Sequence, residues 1–310
     1  MKILVTGGAG FIGSSIVKLL CDLKHQVVVF DNLSEGFSET VDKRATLIVA
    51  DLKDRAAIQK SLKGIDVVIH MAALIEVSES VKHPDKYFEN NVVNGINLLE
   101  EMRLSGVKKI IFSSTAAVYA ENVPVPIKED APKFTGNPYG ATKLMFEDML
   151  FTYHKCYGFH PTILRYFNAY GPWMKKHEES HVFPNFIKSI MKGKKVPLYW
   201  KGECVRDFVF VEDIAHAHVS PLTQTGFHVY NIGTEKGTRI DKLLDLIGKA
   251  VGKEYQIDDL GPRPGDQITT IADVSKIKKE LGWKAAVSLE EGIKKTVNWY
   301  KHVWMKDKHI

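Results

Sequence analysis

The chain has 310 residues, of which 45% are hydrophobic and 25% charged, and its formal net charge is +5 at pH 7. These proportions are typical of a globular protein with one large or two smaller domains. Lysines and arginines are dispersed in short, interrupted groups, which disfavours nucleic acid as a partner. No apolar run approaches the roughly 18 residues of a membrane span, and the N-terminal KILV is too short for a signal peptide. We therefore expect neither nucleic acid nor a membrane as partner.

The cysteines of the chain are few and scattered. Cys21, Cys156 and Cys204 form no CxxC pair. No histidine stands near them at a spacing that suits zinc. We therefore predict free thiols in a reducing compartment, a cytoplasmic location and no metal site.

Short apolar runs rich in β-branched residues recur in the first half of the chain, at 3–6, 26–30, 46–50, 67–70 and 109–113. Longer segments with helical spacing separate them, as at Val92, Ile96 and Leu99. A further strand is predicted at 162–166, after a helical segment at 139–157. Strands that alternate with helices predict an α/β fold with a doubly wound parallel sheet.

The character of the sequence changes after Gly171, where turns become frequent and the stretch LGPRPGD occurs. Shorter strands are predicted there, at 196–199, 208–211 and 228–231. We predict a first domain at 1–170 and a smaller substrate-binding α/β lobe at 171–310, interleaved near 207–235.

The stretch LVTGGAGFIGSS, residues 4–15, places three glycines between a predicted strand and a predicted helix that begins near Phe11. Such a turn directs the unpaired N–H groups and the positive end of the helix dipole at its contents, which favours a phosphate. Gly7 would permit the tight turn, Gly10 the close approach of a pyrophosphate, and Gly13 the packing of helix on strand. A glycine turn that serves packing alone is the alternative.

Asp31 supplies a second feature that favours the phosphate interpretation. It ends the predicted strand HQVVVFD, 18 residues after Gly13. A carboxylate at this position can accept both ribose hydroxyls of an adenosine, and it repels a 2′-phosphate. Asp51 and Leu52, after the third strand, are suited to hold the adenine edge. The sequence thus predicts a Rossmann-type fold that binds NAD in preference to NADP.

The stretch NPYGATKLMFEDML places Tyr139 and Lys143 four residues apart on one face of a predicted helix. For a tyrosine to act as a base near neutral pH, its pKa of about 10 must fall by roughly three units, which takes about 4 kcal/mol. Lys143 and the charge of an oxidised nicotinamide can together supply this stabilisation. Ser113, Ser114 and Thr115 end the fifth strand, and one of these hydroxyls can share the substrate proton. A surface Tyr–Lys pair is the alternative interpretation of the spacing.

Several motifs spread over essentially the whole chain carry a resemblance to a known family. They are TGGAGFIGS, HMAA, SSTAAVY, YGATK, RYFNAYGP, RDFVFVEDIA, YNIG and RPGD. In this combination the chain resembles the extended short-chain dehydrogenase/reductase family. Within that family it is most similar to the nucleoside-diphosphate-sugar 4-epimerases of the UDP-galactose 4-epimerase type.

The resemblance implies NAD-dependent inversion at C4 of a UDP-hexose through a transient 4-keto sugar, with NAD retained through turnover. It implies Tyr139 as the base, Lys143 as its charged partner and Thr115 as the assisting hydroxyl. The residues implied to line NAD are Gly7, Gly10, Phe11, Ile12, Gly13, Asp31, Asn32, Asp51, Leu52, Met71, Ala72, Ala73, Asn90, Tyr139, Lys143 and Phe167.

The resemblance also implies a site for the UDP-sugar. Asn168, Arg206 and Arg263 would hold the diphosphate, and the guanidinium fork suits phosphate oxygens. Asp266 would bind the uridine ribose. The full set implied for the substrate is Thr115, Tyr139, Asn168, Val182, Leu198, Tyr199, Arg206, Arg263, Asp266 and Thr270. Relatives are usually homodimers, which implies an interface through the helices at 85–103 and 139–157.

Some related functions stay open. A dehydratase is disfavoured, because Ala116 and Ala117 occupy the places where it carries an Asp–Glu pair. A UDP-hexuronate 4-epimerase or another nucleotide-sugar oxidoreductase shares every motif, and a catalytically silent NAD-sensing regulator is a further alternative. Ile75 stands where many of these epimerases have a lysine beside the cofactor phosphates. In the resembled epimerases the position of Thr270 faces the hexose, so this small residue predicts that N-acetylated sugars are also accepted.

Overall fold

The computed structural model describes residues 1–174, 181–262 and 267–304. Its strands are β1 (Lys2–Thr6), β2 (Gln26–Asp31), β3 (Thr46–Val49), β4 (Val67–His70), β5 (Lys109–Thr115), β6 (His160–Tyr166), β7 (Asn168–Tyr170), β8 (Val196–Tyr199), β9 (Val205–Phe210), β10 (His228–Ile232), β11 (Gly237–Arg239), β12 (Ile257–Gly261) and β13 (Thr269–Thr270). Its α-helices are α1 (Phe11–Asp22), α2 (Arg55–Ser61), α3 (Val77–Lys82), α4 (Pro84–Phe88), α5 (Asn94–Leu104), α6 (Pro138–Tyr157), α7 (Val182–Met191), α8 (Val211–Val219), α9 (Ile240–Val251), α10 (Ser275–Leu281) and α11 (Leu289–Trp299).

The main sheet has seven parallel strands in the order β10-β6-β5-β4-β1-β2-β3. The order reverses direction between β1 and β4, and in open parallel sheets ligands bind at the carboxyl ends of the strands beside such a switch. This confirms the predicted Rossmann-type α/β fold. The helical pattern that includes Val92 forms α4, one π-helical turn at Glu89–Val93, and α5.

The central strands are apolar on both faces, because helices cover the sheet on both sides. Ile3, Leu4 and Val5 of β1 are each 0% exposed. Ile3 and Val5 belong to the core layer that includes residues of α1 and α8, whereas Leu4 belongs to the layer that includes residues of α5 and α6. Among the described residues no helix is long and apolar enough to cross a membrane.

The second half of the chain builds a smaller sheet and also completes the first. In the smaller sheet, β9 pairs with β7, β11 and β13, and a separate pair joins β8 to β12. However, β10 is an edge strand of the main sheet, parallel to β6, and α8 packs on α1. The division at residue 170 stays a prediction.

One predicted strand in this half is shifted. The run predicted as a strand at 208–211 forms β9 at Val205–Phe210, and Val211 already begins α8. The apolar run FVFV continues across the boundary, so hydrophobicity alone does not mark it. The acidic residues Glu212 and Asp213 lie in the first turn of α8, where they favour a helix start.

Candidate active site

A cavity of about 560 Å³ opens at the carboxyl ends of β1, β2, β4 and β5 and extends under the smaller sheet. Both halves of the chain line it. All the described residues that the sequence analysis named for cofactor and substrate do so, with Thr270 as the exception. Arg263 and Asp266 lie outside the described residues.

The turn between β1 and α1 is shaped to admit a ligand close to its backbone. Gly7 has φ +69°, and a Cβ there would lie 2.6 Å from the backbone nitrogen of Ala72. A Cβ on Gly13 would collide with the backbone oxygen of Gly7. Gly10 is the N-cap of α1, and no side chain of the described residues caps this helix end. Its N–H groups thus face the cavity and fit a pyrophosphate.

Asp31 is fixed at the end of β2 and is 7% exposed. Its Oδ2 accepts a hydrogen bond of 2.9 Å from the Ala9 N–H, and its Oδ1 accepts one of 2.8 Å from the Leu33 N–H. Each oxygen keeps a further lone pair, which can accept a ribose hydroxyl. Nearby, Asn32 Nδ2 donates to Asp51 Oδ2 at 2.8 Å, so these two residues are fixed relative to each other.

The loop after β4 is held in place by hydrogen bonds from the side chain of Asn91. Asn91 binds Leu74 twice, because its Oδ1 accepts from the Leu74 N–H at 2.8 Å and its Nδ2 donates to the Leu74 oxygen at 2.9 Å. Asn90, which the resemblance implied, lines the cavity beside it and donates to Asn91. The structural anchor is therefore Asn91, in the π-helical turn.

Three successive residues of β5 each bind one side chain of α6. The Ser113 backbone oxygen accepts from Lys143 Nζ at 2.8 Å, and the Ser114 hydroxyl donates to Glu147. The hydroxyl of Thr115 shares a hydrogen bond with that of Tyr139. Lys143 also lies over the ring of Phe112, 4.8 Å from its centroid. Side chains spaced four residues apart on one face of the helix thus contact three successive residues of the strand, although not in the same order.

Burial shifts the two titratable groups of this set toward their neutral forms. It raises the pKa of Tyr139 to about 12, against the hydrogen bond from Thr115, which lowers it. Burial lowers the pKa of Lys143 to about 7, although the charge of Glu147 raises it. The protein part of the site therefore holds Tyr139 as a phenol. The lowering that a base requires has to come from positive charge brought close to the hydroxyl.

The sequence analysis did not predict the buried ion pair between Glu147 of α6 and Arg165 of β6. Arg165 of β6 donates to both oxygens of Glu147, at 2.6 and 3.0 Å, and both side chains are almost fully buried. Arg165 Nη1 also donates to the Tyr119 hydroxyl at 3.0 Å, which in turn donates to Asn231 of β10 at 2.6 Å. Glu147 and Arg165 are 18 residues apart in the sequence. No local sequence pattern relates residues at that separation, so the pair could not be predicted.

The far end of the cavity carries the residues implied for the substrate. Asn168 Nδ2 donates to the backbone oxygen of Asp207 at 3.1 Å, and Arg206 lies on β9 one residue before Asp207. Val182 stands at the start of α7, and the remaining lining residues from the implied set are Leu198 and Tyr199. Asp207 is 0% exposed and accepts from the N–H groups of turn residues at 234–235, which fixes this part of the small sheet.

Thr270 does not face the cavity that the described residues form. It is 8% exposed, and in β13 it stands beside Arg206 of the neighbouring strand β9. The side chain of Arg206 lines the cavity, whereas that of Thr270 is packed inside. The reason is its place in a strand of the small sheet, where the pairing with β9 sets its position.

The fold and the cavity together define a dinucleotide-dependent enzyme with a buried tyrosine–lysine pair in the cavity wall. Residues 3–233 match the NAD dependent epimerase/dehydratase family. The chain belongs to this family, and NAD is its cofactor.

Among the similar proteins are a curated relative and a solved structure that are both named UDP-glucose 4-epimerase. A UDP-glucose 4-epimerase of Bacillus subtilis is 39% identical over 94% of this chain and 94% of its own length. The solved UDP-glucose 4-epimerase of Thermotoga maritima, in complex with UDP-glucose, is 37% identical with a TM-score of 0.94, covering 98% of this chain and 100% of its own.

Relatives with other names are almost as similar. A UDP-N-acetylglucosamine 4-epimerase of Methanobrevibacter ruminantium has a TM-score of 0.92 at 36% identity, covering 97% of this chain and 98% of its own. A UDP-glucuronate 4-epimerase of Thermodesulfobacterium geofontis is 34% identical over 96% of this chain and 95% of its own length. These relatives share the epimerisation and differ in the sugar.

Proposed function

We propose that this protein interconverts UDP-glucose and UDP-galactose by inversion at C4. The observation that carries the proposal is the set formed by Thr115, Tyr139 and Lys143, which lie together in the wall of the cavity that also contains the residues implied for NAD and for the UDP-sugar. The same three residues argue against a silent regulator, because a binding module has no need of a buried Tyr–Lys pair. The glycine turn and Asp31 would hold NAD, which would supply the acceptor and donor of the C4 hydride.

Side chains of the protein transfer the proton of the C4 hydroxyl and supply the positive charge that this transfer requires. Tyr139 takes the proton of the C4 hydroxyl and returns it after the sugar has turned, and Thr115 passes or shares that proton through its hydrogen bond. Lys143, held by Ser113, supplies the positive charge that stabilises the phenolate. Asn168 and Arg206 would anchor the diphosphate while the sugar rotates, together with Arg263 and Asp266.

The identity of the sugar is the finer part of the proposal. We place neutral UDP-hexoses first. The acceptance of N-acetylated hexosamines stays an expectation drawn from the resemblance, because Thr270 does not line the cavity that the described residues form. Turnover of UDP-N-acetylgalactosamine and of UDP-galactose by the wild type and by Thr270→Tyr tests that expectation. A wild type that rejects the N-acetylated sugar, or a tyrosine variant with an unchanged ratio, would contradict it. The cytoplasmic location stays a prediction from the few and scattered cysteines, Cys21, Cys156 and Cys204.

The direct test is an isomerisation assay. Purified protein supplied with UDP-galactose should form UDP-glucose without net production of NADH, which anion-exchange chromatography and absorbance at the nicotinamide band would report. Tyr139→Phe should lower turnover by roughly 10² or more with little change in UDP binding. Tyr153→Phe, on the same helix but bonded to Glu100, is the matched control and should keep wild-type turnover. If the wild type interconverts no UDP-sugar, the proposal is wrong.

A further inference from the structure

Tyr166, the last residue of β6, lines the cavity but has no part in the mechanism above. Its side chain is buried, with 8% exposed. In the parallel register of β5 and β6 it is paired with Thr115, whose hydroxyl is bonded to that of Tyr139. The Tyr166 hydroxyl itself lies 3.7 Å from Sδ of Met71, in the loop after β4. Tyr166 therefore connects the strand end beside the reacting residues to a loop that the resemblance implied for NAD.

The direction of the hydrogen bond between Tyr166 and His218 follows from the second nitrogen of the histidine. Nδ1 of His218 lies 2.9 Å from the backbone oxygen of Ile214, which can only accept, so Nδ1 carries a proton. In a neutral imidazole Nε2 is then an acceptor, and the Tyr166 hydroxyl donates to it at 2.7 Å. His218 is 0% exposed, which favours the neutral ring. The hydroxyl proton of Tyr166 is thus committed to His218.

His218 is held in place by the helix that carries it. Helix α8 packs on α1, whose N-terminus follows the glycine turn. In the first turn of α8, Asp213 accepts hydrogen bonds from the N–H groups of Ala286 and Val287, at 2.9 and 3.1 Å. The imidazole is therefore a fixed point, and its bond to the hydroxyl fixes the far end of the Tyr166 side chain. Without that bond only packing would hold the ring at its present angle.

We propose that His218 is a positioning residue that holds Tyr166, and through it Met71, as the part of the cavity wall that receives the nicotinamide end of NAD. The nicotinamide has to lie beside Tyr139, because the hydride and the proton leave the same C4–OH group of the sugar. In that one respect the inference rests on the proposed function. It goes beyond that function by assigning a role in cofactor binding to two residues, Tyr166 and His218, that no motif indicated.

The experiment compares two ligands, NAD and ADP-ribose, which lacks the nicotinamide ring. Cofactor-free wild type, Tyr166→Phe, His218→Leu and the double variant are titrated with each ligand by calorimetry. We expect each single variant to bind NAD about tenfold more weakly and ADP-ribose within about twofold of the wild type. The double variant should bind NAD no more weakly than the single variants, because both remove the same bond. A purely structural role would weaken the binding of both ligands alike.

Tyr230→Phe is the matched control. Tyr230 is a 0% exposed tyrosine on β10, the strand beside β6, and its hydroxyl is bonded to Glu280 and Gln224, each at 2.6 Å. The control removes a buried tyrosine hydroxyl that is bonded outside the described cavity wall. It should keep the wild-type affinity for both ligands.

Three outcomes would overturn the proposal. They are an unchanged affinity of Tyr166→Phe for NAD, an equal loss of affinity for NAD and ADP-ribose, and a double variant in which the two losses multiply. If His218→Leu does not fold, Tyr166→Phe decides, because it removes only one hydroxyl and is titrated with the same two ligands. The titrations contain no UDP-sugar, so a failure of the proposed function in the isomerisation assay is distinguishable from a failure of this inference.

Discussion

At the scale of single residues, burial acts on Tyr139 and Lys143 in opposite senses. It raises the pKa of the phenol to about 12 and lowers that of the ammonium to about 7, so the neutral form of each side chain is favoured and the two pKa values move apart. Tyr139 alone is therefore a poor base near neutral pH. Positive charge brought close to its hydroxyl has to lower the pKa before the tyrosine can take a proton.

The first prediction concerns Asp31 and the choice of cofactor. Asp31→Asn removes the negative charge that would repel a 2′-phosphate but retains one oxygen that can accept from the Ala9 or Leu33 N–H. We expect NAD to bind more weakly, NADP to bind more tightly, and the preference for NAD to shrink by about tenfold or more. Titration of cofactor-free protein with each dinucleotide measures this.

A companion variant shows whether charge is the cause. Asp22→Asn also removes a carboxylate, at the far end of α1, where Asp22 is bonded to Lys18 and Arg44. It should leave the preference unchanged. Equal or tighter binding of NADP by the wild type would show that Asp31 does not select the cofactor.

At the scale of elements, β5 and α6 form the unit that assembles the reacting groups. Ser113, Ser114 and Thr115 bind Lys143, Glu147 and Tyr139 in turn, so the register between strand and helix is fixed at three adjacent points. The buried pair of Glu147 with Arg165 ties the same unit to β6. A shift of the helix by one residue would break all three contacts together.

The second prediction tests Glu147 within this unit. Its negative charge raises the pKa of Lys143 against burial, so Glu147→Gln should lower that pKa further below about 7. Lys143 is then protonated over a narrower range, and turnover should fall more strongly at pH 8 than at pH 6. Because the variant leaves Arg165 buried without its partner, we also expect a stability loss on the order of 3 kcal/mol. Measurements of kcat against pH and of thermal unfolding report the two effects.

Ser114→Ala is the control that distinguishes the effect of the Glu147 charge from the effect of packing around it. It removes the hydroxyl that donates to Glu147 but leaves the ion pair with Arg165 in place. It should cost some stability and keep the pH profile of the wild type. If Glu147→Gln also keeps that profile, Glu147 serves only packing.

The elements show why a single sequence could suggest the candidate reacting residues but not the buried side chains that support them. The glycine turn, Asp31 and the Tyr139–Lys143 spacing are local patterns, because each is dictated by one strand end or one helix turn. The support is not local, since Ser114 and Glu147 are 33 residues apart and Tyr119 and Asn231 are 112 apart. Such pairs follow from the order of strands in the sheet, which a single sequence does not display.

At the scale of the whole molecule, two buried histidines make the free energy of unfolding depend on pH. His70 of β4 bonds to the Thr6 hydroxyl at 2.7 Å, and His218 of α8 bonds to the Tyr166 hydroxyl at 2.7 Å. Burial lowers the pKa of His70 to about 3 and that of His218 to about 4. Both are therefore neutral in the folded protein over most of the pH range.

The third prediction follows from this coupling. Between about pH 4 and the ordinary histidine pKa of about 6.5, the unfolded chain binds more protons than the folded one. The contribution of each neutral histidine to the free energy of unfolding is therefore complete above about pH 6.5. It is lost as the pH falls below that value, by up to about 1.4 kcal/mol per pH unit for each histidine. Thermal unfolding between pH 4 and 8 should show this slope, and His218→Gln should reduce it. An unchanged slope in His218→Gln and His70→Gln would contradict the assignment.

The fourth prediction concerns assembly. Large apolar side chains are exposed on α5 and α6, among them Ile96 at 38%, Met145 at 47% and Phe151 at 47%. We expect these helices to pair with those of a second copy, because such a surface is costly to leave in water. Met145→Arg should weaken the dimer about 100-fold or more, as sedimentation would measure, whereas Leu23→Arg, at the exposed end of α1, should not. A monomeric wild type would refute the expected homodimer.

The position of β10 bears on how the protein is made. In the finished sheet β10 covers the edge of β6, but it is encoded more than sixty residues after that strand. At roughly 5 to 20 residues per second, a ribosome leaves the β6 edge without its neighbour for about 3 to 12 s. During this interval the growing chain has an open parallel edge that other chains can join. The late synthesis of one short strand therefore leaves the nascent chain with an unpaired sheet edge for several seconds.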